Sequence, residues 1–242
     1  MGARTLERKN VVGPFGYTIW LLGALLEAAV VVCSLFRGPL RRYFTLNLYM
    51  AMSVLVNAGR YLIFTRHGFI SSEYVYFYYY SDAILTICLY FALMGLYAIV
   101  FEELGVTLRL RVFMMLLLIG TTLFSFSVVH QSETRMLTHY IVEISQNLYF
   151  VGLVLTYVLW AALLKLRESR VRVIQIVLSL GMYFSINAAS YALRNAYPNL
   201  RFVWGYFPLA AGVFLPIAWI YAFMKFDDEA RLAPARLAAV PR

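Results

Sequence analysis

The sequence predicts an all-α polytopic membrane protein, a bundle of seven transmembrane helices. Of its 242 residues, 62% are hydrophobic and 14% are charged, whereas soluble domains average about 45–50% apolar and about 25% charged residues. The apolar residues form long blocks, each close to the roughly 20 residues that a helix needs to cross a bilayer. The blocks lack the apolar–polar alternation of a transmembrane β-barrel. A soluble domain and a disordered chain are therefore excluded.

Seven apolar blocks follow one another along the chain, and the connections between them are short. The first block is longer than the hydrophobic core of a signal peptide and ends in arginines, so we expect it to be a retained span. The second follows the basic pair Arg41 and Arg42, and the third opens on the tyrosine-rich run Tyr74–Tyr80. Tyrosine rings favour the membrane–water interface, although some rings of this run must also face the bundle interior. The predicted spans are 11–36, 43–64, 75–101, 112–129, 140–166, 171–193 and 202–226.

The last four blocks complete the bundle. The fourth is continuously apolar over Met114–Gly120, and the fifth and sixth are separated by a short basic loop. The seventh contains Pro208 and Pro216, which permit a kink in a membrane helix. Residues 1–226 are thus expected to form a single transmembrane domain, and residues 227–242 a short, disordered cytoplasmic tail.

The distribution of basic residues predicts the orientation. Thirteen Lys and Arg residues lie in the tail and the connections after the first, third and fifth blocks, and eight lie on the other side. Because cytoplasmic loops are richer in Lys and Arg, we expect the N-terminus outside, the C-terminus in the cytoplasm and a multi-pass location in the inner (plasma) membrane. The net charge of +9 then reflects topology and contact with anionic headgroups, and no nucleic-acid partner is expected.

Polar side chains recur at helical spacing on the second, third, fifth and sixth predicted helices. Counted at about 1.5 Å per residue, many of them lie about 10 Å below the outer surface. They should converge on the bundle interior, because lipid cannot satisfy their hydrogen bonds. The predicted ligand-binding residues are Asn57, Arg60, Tyr79, Asp82, Glu143, Asn147 and Asn187. The layer is interpreted as a pocket open to the outside, with interhelical hydrogen bonding as the alternative.

Two carboxyl groups within the predicted helices, Asp82 and Glu27, differ in whether a basic residue lies at the same depth. Asp82 and Arg60 lie at similar depths on neighbouring antiparallel helices, so we expect them to interact directly or through one water molecule. Glu27 lies near the middle of the membrane with no basic residue at its depth, and Ser53 is the nearest polar group on the second helix at that level. We expect a neutral Glu27 that donates a hydrogen bond, and a proton site remains the alternative.

Catalytic and cofactor motifs are absent from the sequence. It contains no G-x-S-x-G, H-E-x-x-H, P-loop or G-x-G-x-x-G motif. A retinal protein needs a lysine midway along its last helix to form the Schiff base. The only lysine of the seventh block is Lys225, at its cytoplasmic end, so a retinal chromophore in the core is not expected. Cys33 and Cys88 lie within apolar blocks without metal-type spacing. We therefore expect no enzyme activity, no metal and no cofactor.

One stretch of the chain carries a resemblance. Arg41–Asn57 opens with an Arg pair followed by Tyr-Phe-Thr-Leu-Asn-Leu-Tyr, and it precedes an aromatic block that contains Asp82 and runs through Leu93–Phe101 to Glu102 and Glu103. This layout resembles a class of uncharacterised bacterial seven-helix membrane proteins of the acidobacterial type. The resemblance covers nearly the whole chain. It implies a seven-helix bundle in the inner membrane and supplies no activity.

Together these observations favour a non-enzymatic integral membrane protein, a ligand-binding or sensor-like seven-helix bundle with a polar, aromatic pocket in its outer third. An accessory or scaffold subunit of a larger membrane complex is one alternative, and a small transporter or channel is another. The expected partners are the lipid bilayer, a small-molecule ligand from the outer side, and a membrane or cytoplasmic protein.

Overall fold

The computed structural model confirms the all-helical architecture. It describes residues 14–37, 40–68, 71–102, 107–130, 136–166, 170–197 and 206–226. The N-terminal Arg4, Arg8 and Lys9 and the predicted tail 227–242 lie outside the described residues. The helices are α1 (Pro14–Arg37), α2 (Phe44–His67), α3 (Ser72–Val100), α4 (Thr107–His130), α5 (Met136–Lys165), α6 (Val171–Ala196) and α7 (Tyr206–Lys225).

Each helix coincides with one predicted apolar block, but several begin earlier or end later than the apolar residues do. Hydrogen bonding at the helix ends accounts for the bounds of α2 and α3. Ser71 caps α3, because its Oγ accepts a hydrogen bond from the Tyr74 backbone N–H at 3.1 Å. At the other end of the preceding loop, Gly68 adopts a φ of 80° and donates its N–H to the Phe64 carbonyl at 2.9 Å, which ends α2.

Six of the described helices, α2 to α7, are long and apolar enough to cross a membrane. In α1 the apolar stretch is shorter and covers Trp20–Phe36. Large hydrophobic side chains cover the outside of the bundle, including Leu108, which is 73% exposed, and Leu123, which is 64% exposed. An apolar helical bundle with such a surface is consistent with an integral membrane protein.

The helices form a closed ring with one peripheral member. Going round the ring, α1 packs against α2, α2 against α3, α3 against α5, α5 against α6, α6 against α7, and α7 against α1. Helix α4 packs against α3 and α5 from outside the ring. Helices α3 and α6 are the most buried of the six long apolar helices. On α3, four residues are 0% exposed: Leu89, Ala92, Leu93 and Leu96. Any group on the inner face of α3 therefore lies at the centre of the molecule.

Two tyrosines of α3 donate hydrogen bonds to the main chains of α4 and α5. The Tyr90 hydroxyl donates a hydrogen bond to the Met114 carbonyl of α4 at 2.7 Å. The Tyr97 hydroxyl donates to the Leu155 carbonyl of α5 at 2.6 Å. Both acceptors are main-chain groups within helices, so these bonds fix the positions of α4 and α5 relative to α3.

The contact between α5 and α6 requires a glycine. A Cβ atom added at Gly152 would lie 2.3 Å from the nearest ring atom of Phe184, which is itself buried on α6. By contrast, a Cβ added at Gly120 on α4 would meet nothing within 4 Å. At Gly152, unlike at Gly120, the absence of a side chain allows two helices to approach closely.

Two buried arginines at the start of α6 join the ends of three helices. Arg170 donates a hydrogen bond to the Ile99 carbonyl near the end of α3 at 3.3 Å. Arg172 donates to the carbonyl of Phe226, just beyond α7, and its guanidinium lies 5.9 Å from the Phe223 ring centroid. The last carbonyls of a helix lack partners within the helix and carry negative partial charge, so a guanidinium stabilises them.

Candidate functional site

The polar residues of α1 and α2 form a continuous hydrogen-bonded chain. Ser53 Oγ donates to Glu27 Oε1 at 2.7 Å, and Asn57 Nδ2 donates to Glu27 Oε2 at 2.8 Å. Trp20 Nε1 in turn donates to Asn57 Oδ1 at 3.0 Å. Because an indole nitrogen only donates, this last bond fixes the orientation of the Asn57 amide. Glu27 thus has two partners on one neighbouring helix, of which Ser53 is the one at the depth counted from the sequence.

Arg60 binds α3 through groups other than Asp82. Its Nε and Nη2 donate to Ser81 Oγ at 3.1 and 2.9 Å, and Nη2 also donates to the Tyr78 carbonyl at 3.3 Å. The guanidinium carbon lies 4.4 Å from the Tyr78 ring centroid, which is a cation–π contact. Among the described residues no direct hydrogen bond joins Arg60 to Asp82, because Arg60 donates to Ser81 and Tyr78 instead. The direct form of the predicted contact is therefore absent there, and a contact through one water molecule stays a prediction.

Asp82 is directed instead toward α6. Its Oδ2 accepts a long hydrogen bond of 3.4 Å from the Tyr191 hydroxyl. Both sequence neighbours, Ser81 and Ala83, are buried, whereas Asp82 itself is half-buried. The Asp82 carboxyl group thus lies on the side where α3 faces α6, and the residue is only partly buried.

Four tyrosines from three helices surround this part of the interior. We call Tyr49, Tyr149, Tyr183 and Tyr191 the interior tyrosine cluster. The Tyr149 ring lies 6.4 Å from that of Tyr183 and 5.7 Å from that of Tyr191, centroid to centroid. The Tyr49 and Tyr183 hydroxyls are 3.4 Å apart. The cluster joins α2, α5 and α6 and ends at Asp82 of α3, so four of the seven helices contribute to it.

A tryptophan of α7 closes the inner side of the cluster. Trp219 is fully buried and meets Tyr49 at 6.2 Å between ring centroids. Its Nε1 donates a hydrogen bond to Ser179 Oγ of α6 at 3.0 Å. Tyrosine and tryptophan rings combine apolar area with polar atoms that need partners, and here these atoms are partnered across helices.

The remaining predicted site residues lie apart from Asp82 or bond locally. Asn147 Nδ2 donates to Ser125 Oγ of α4 at 3.0 Å, so it faces the peripheral helix. Asn187 Nδ2 donates to the Tyr183 carbonyl of its own helix at 2.9 Å. Tyr79 and Glu143 are half-buried, and Tyr79 makes an edge contact with Tyr78. Among the described residues, none of these four side chains is hydrogen-bonded to Asp82.

A groove of about 530 Å³ lies between α4 and α5. Its walls are mostly apolar, and Asn147 contributes an amide. Two wall residues, Leu116 and Phe124, are more than 60% exposed. This groove lies on the outside of the bundle, and neither Asp82 nor the interior tyrosine cluster lines it.

The site that the structure assembles has a simple chemistry. It offers one carboxyl group, several phenol hydroxyls and aromatic faces, and across the described residues no group of three His, Cys, Asp or Glu side chains could hold a metal ion. Such a site can accept hydrogen bonds and stack against apolar groups. No family model, curated protein or solved structure matches this chain, so the interpretation depends on its own residues.

Proposed function

We propose that this protein is a non-enzymatic, sensor-like membrane protein that binds a small molecule at Asp82 and the interior tyrosine cluster. One observation carries the proposal. On the well-buried helix α3, Asp82 is only half-buried, and its carboxyl group accepts one long hydrogen bond, from Tyr191. An ionisable group within a membrane bundle is costly, and it is typically retained where it serves a binding or transport function. The aromatic side chains around it supply contact area for a ligand.

The proposal includes seven spans, with the N-terminus outside and the C-terminus in the cytoplasm of a plasma membrane. Helix α1 has 24 residues and so extends about 36 Å, enough for a hydrocarbon core of about 30 Å. It packs between α2 and α7, both of which are long and apolar enough to span. The excess of Lys and Arg in the connections assigned to the cytoplasm supports the orientation.

The partners of Glu27 favour binding over proton transport. Both carboxyl oxygens are occupied by short hydrogen bonds from Ser53 and Asn57. A carboxyl group held in this way joins α1 to α2, and this role accounts for its presence without a transport path.

Native mass spectrometry of the detergent-purified protein tests the proposal. We expect a small molecule to co-purify with the wild type and to be lost from Asp82→Asn. Glu73→Gln is the matched control, because it changes an exposed acid to its amide on the same helix. A stoichiometric protein subunit with no small molecule would instead favour an accessory role. Equal retention of the molecule by both variants would remove Asp82 from the site.

A further inference from the structure

The hydrogen bonding of Asp82 is incomplete. An ionised carboxylate offers about four acceptor positions, and the described residues give Asp82 one hydrogen bond, the 3.4 Å contact from Tyr191. On α5, Ser145 is 1% exposed, and its hydroxyl lies close to the same carboxyl group. Within the described part of the chain this hydroxyl does not reach the geometry of a full hydrogen bond with any partner. The site therefore contains a loosely held acceptor and a buried hydroxyl close to it.

Within the described ranges, no basic side chain forms a direct ion pair with Asp82. Arg60 and Arg194 are close enough to interact with Asp82 electrostatically. However, the Arg60 guanidinium is held by Ser81 and by the ring and carbonyl of Tyr78, and Arg194 is exposed. A charge in the interior of a membrane bundle is stabilised by an opposite charge in direct contact. A cationic group of a ligand could make this direct contact with the Asp82 carboxylate.

The aromatic surroundings suit the same kind of ligand. Tyrosine faces attract cations through the ring quadrupole, and the attraction is stronger when the pair is removed from water. The Tyr149 and Tyr191 rings pack together at 5.7 Å beside the carboxyl group. An ammonium group at Asp82 would therefore meet both an anion and aromatic faces, whereas an anionic ligand would lie against a carboxylate.

We propose that the ligand carries a protonated basic nitrogen, which donates hydrogen bonds to Asp82 and Ser145 while its apolar part packs against Tyr149, Tyr183 and Tyr191. This inference depends on the proposed binding function and specifies the chemical class of the ligand. It assigns Asp82 the role of counter-ion and the tyrosines the role of a contact surface.

The chemical class of the ligand can be tested by measuring how much three probes of matched size stabilise the purified protein against heat. The probes are benzylammonium, benzyl alcohol and benzoate, which carry a positive, a neutral and a negative group on the same ring. We expect benzylammonium to raise the melting temperature of the wild type in a saturable way, and the other two probes to bind more weakly. Asp82→Asn should weaken benzylammonium binding by about tenfold or more, because hydrogen bonds to charged groups are the stronger ones. Glu73→Gln should leave the binding unchanged.

A second variant, which is expected to strengthen binding, tests the inference if Asp82→Asn does not fold. Arg60→Gln removes a positive charge near Asp82, so it should strengthen benzylammonium binding, and a weakening would contradict the inference. Preference for benzoate or benzyl alcohol would also overturn it. If native mass spectrometry finds an Asp82-dependent molecule that lacks a basic nitrogen, the ligand class fails and the binding function stands. If neither an Asp82-dependent molecule nor benzylammonium binds, both proposals fail.

Discussion

Replacing Glu27 by glutamine should leave the protein almost unchanged. The carboxyl group accepts one hydrogen bond from Asn57 Nδ2 and one from Ser53 Oγ. A glutamine can direct its Oε1 at Asn57 and its Nε2 at Ser53, whose hydroxyl can rotate and accept. The Asn57 amide keeps its orientation, because Trp20 continues to donate to Oδ1. Every polar atom in the chain of hydrogen bonds thus retains a partner.

The magnitude follows from the number of bonds that each substitution removes. A hydrogen bond between membrane helices contributes about 0.6 kcal/mol on average. Glu27→Leu, of similar volume, removes two such bonds and should lower the free energy of unfolding by about 1.2 kcal/mol or more, because the Asn57 amide loses its acceptor. Glu27→Gln removes none, so its effect should stay below about 0.5 kcal/mol.

Reversible unfolding in mixed detergent micelles would measure both variants. Leu25→Ala is the control, since this leucine lies two residues away and is 60% exposed on the outer face of α1. The same proteins in liposomes, loaded with a pH-sensitive dye, would report proton flux. Loss of a pH-dependent flux in a stably folded Glu27→Gln variant would refute the structural role. Equal destabilisation by glutamine and leucine would show that the charge itself is required.

Three further predictions concern the packing and the orientation. Gly152→Ala should destabilise the protein by about 1–3 kcal/mol because the added Cβ would collide with Phe184, whereas Gly120→Ala should be neutral or stabilising in the same unfolding assay. Arg172→Ala should cost about 1–3 kcal/mol because the Phe226 carbonyl loses its donor, and thermal melting should show partial recovery with lysine. A fluorescent protein fused to the C-terminus should be bright and an alkaline phosphatase fusion inactive; the reverse result would invert the assigned orientation.

The helices could be located from the sequence because long apolar blocks have few alternative structures in a membrane. Depth could also be counted along each block, and for this reason Ser53 was identified as the group level with Glu27. Residue counting does not give the rotation of each helix about its axis, and it does not say which helices pack against each other. Asn147 has the expected depth, yet it faces α4 and bonds to Ser125. Arg60 likewise reaches Ser81, one residue from the expected partner.

The interior tyrosine cluster was largely missed for a similar reason. The sequence contains 19 tyrosines, and the most conspicuous run, Tyr74–Tyr80, lies at one end of α3. Tyr183 and Tyr191 lie eight residues apart on α6, which places them on one face and could have marked it. Tyr49 and Tyr149 are isolated tyrosines on α2 and α5, with no second tyrosine within five residues of either. Only the packing of α2 and α5 against α3 and α6 brings all four into one interior.

The partners of Glu27 also bear on how the chain enters the membrane. Synthesis proceeds from the N-terminus, so α1 and α2 emerge first. Because Ser53 and Asn57 both lie on α2, the first helical hairpin can be inserted with its carboxyl group already paired. The Arg172 contact differs, since Arg172 meets the Phe226 carbonyl only after α7 has been made. The pairing of Glu27 thus requires the first two helices alone, whereas the contact between α6 and the end of α7 requires the last one.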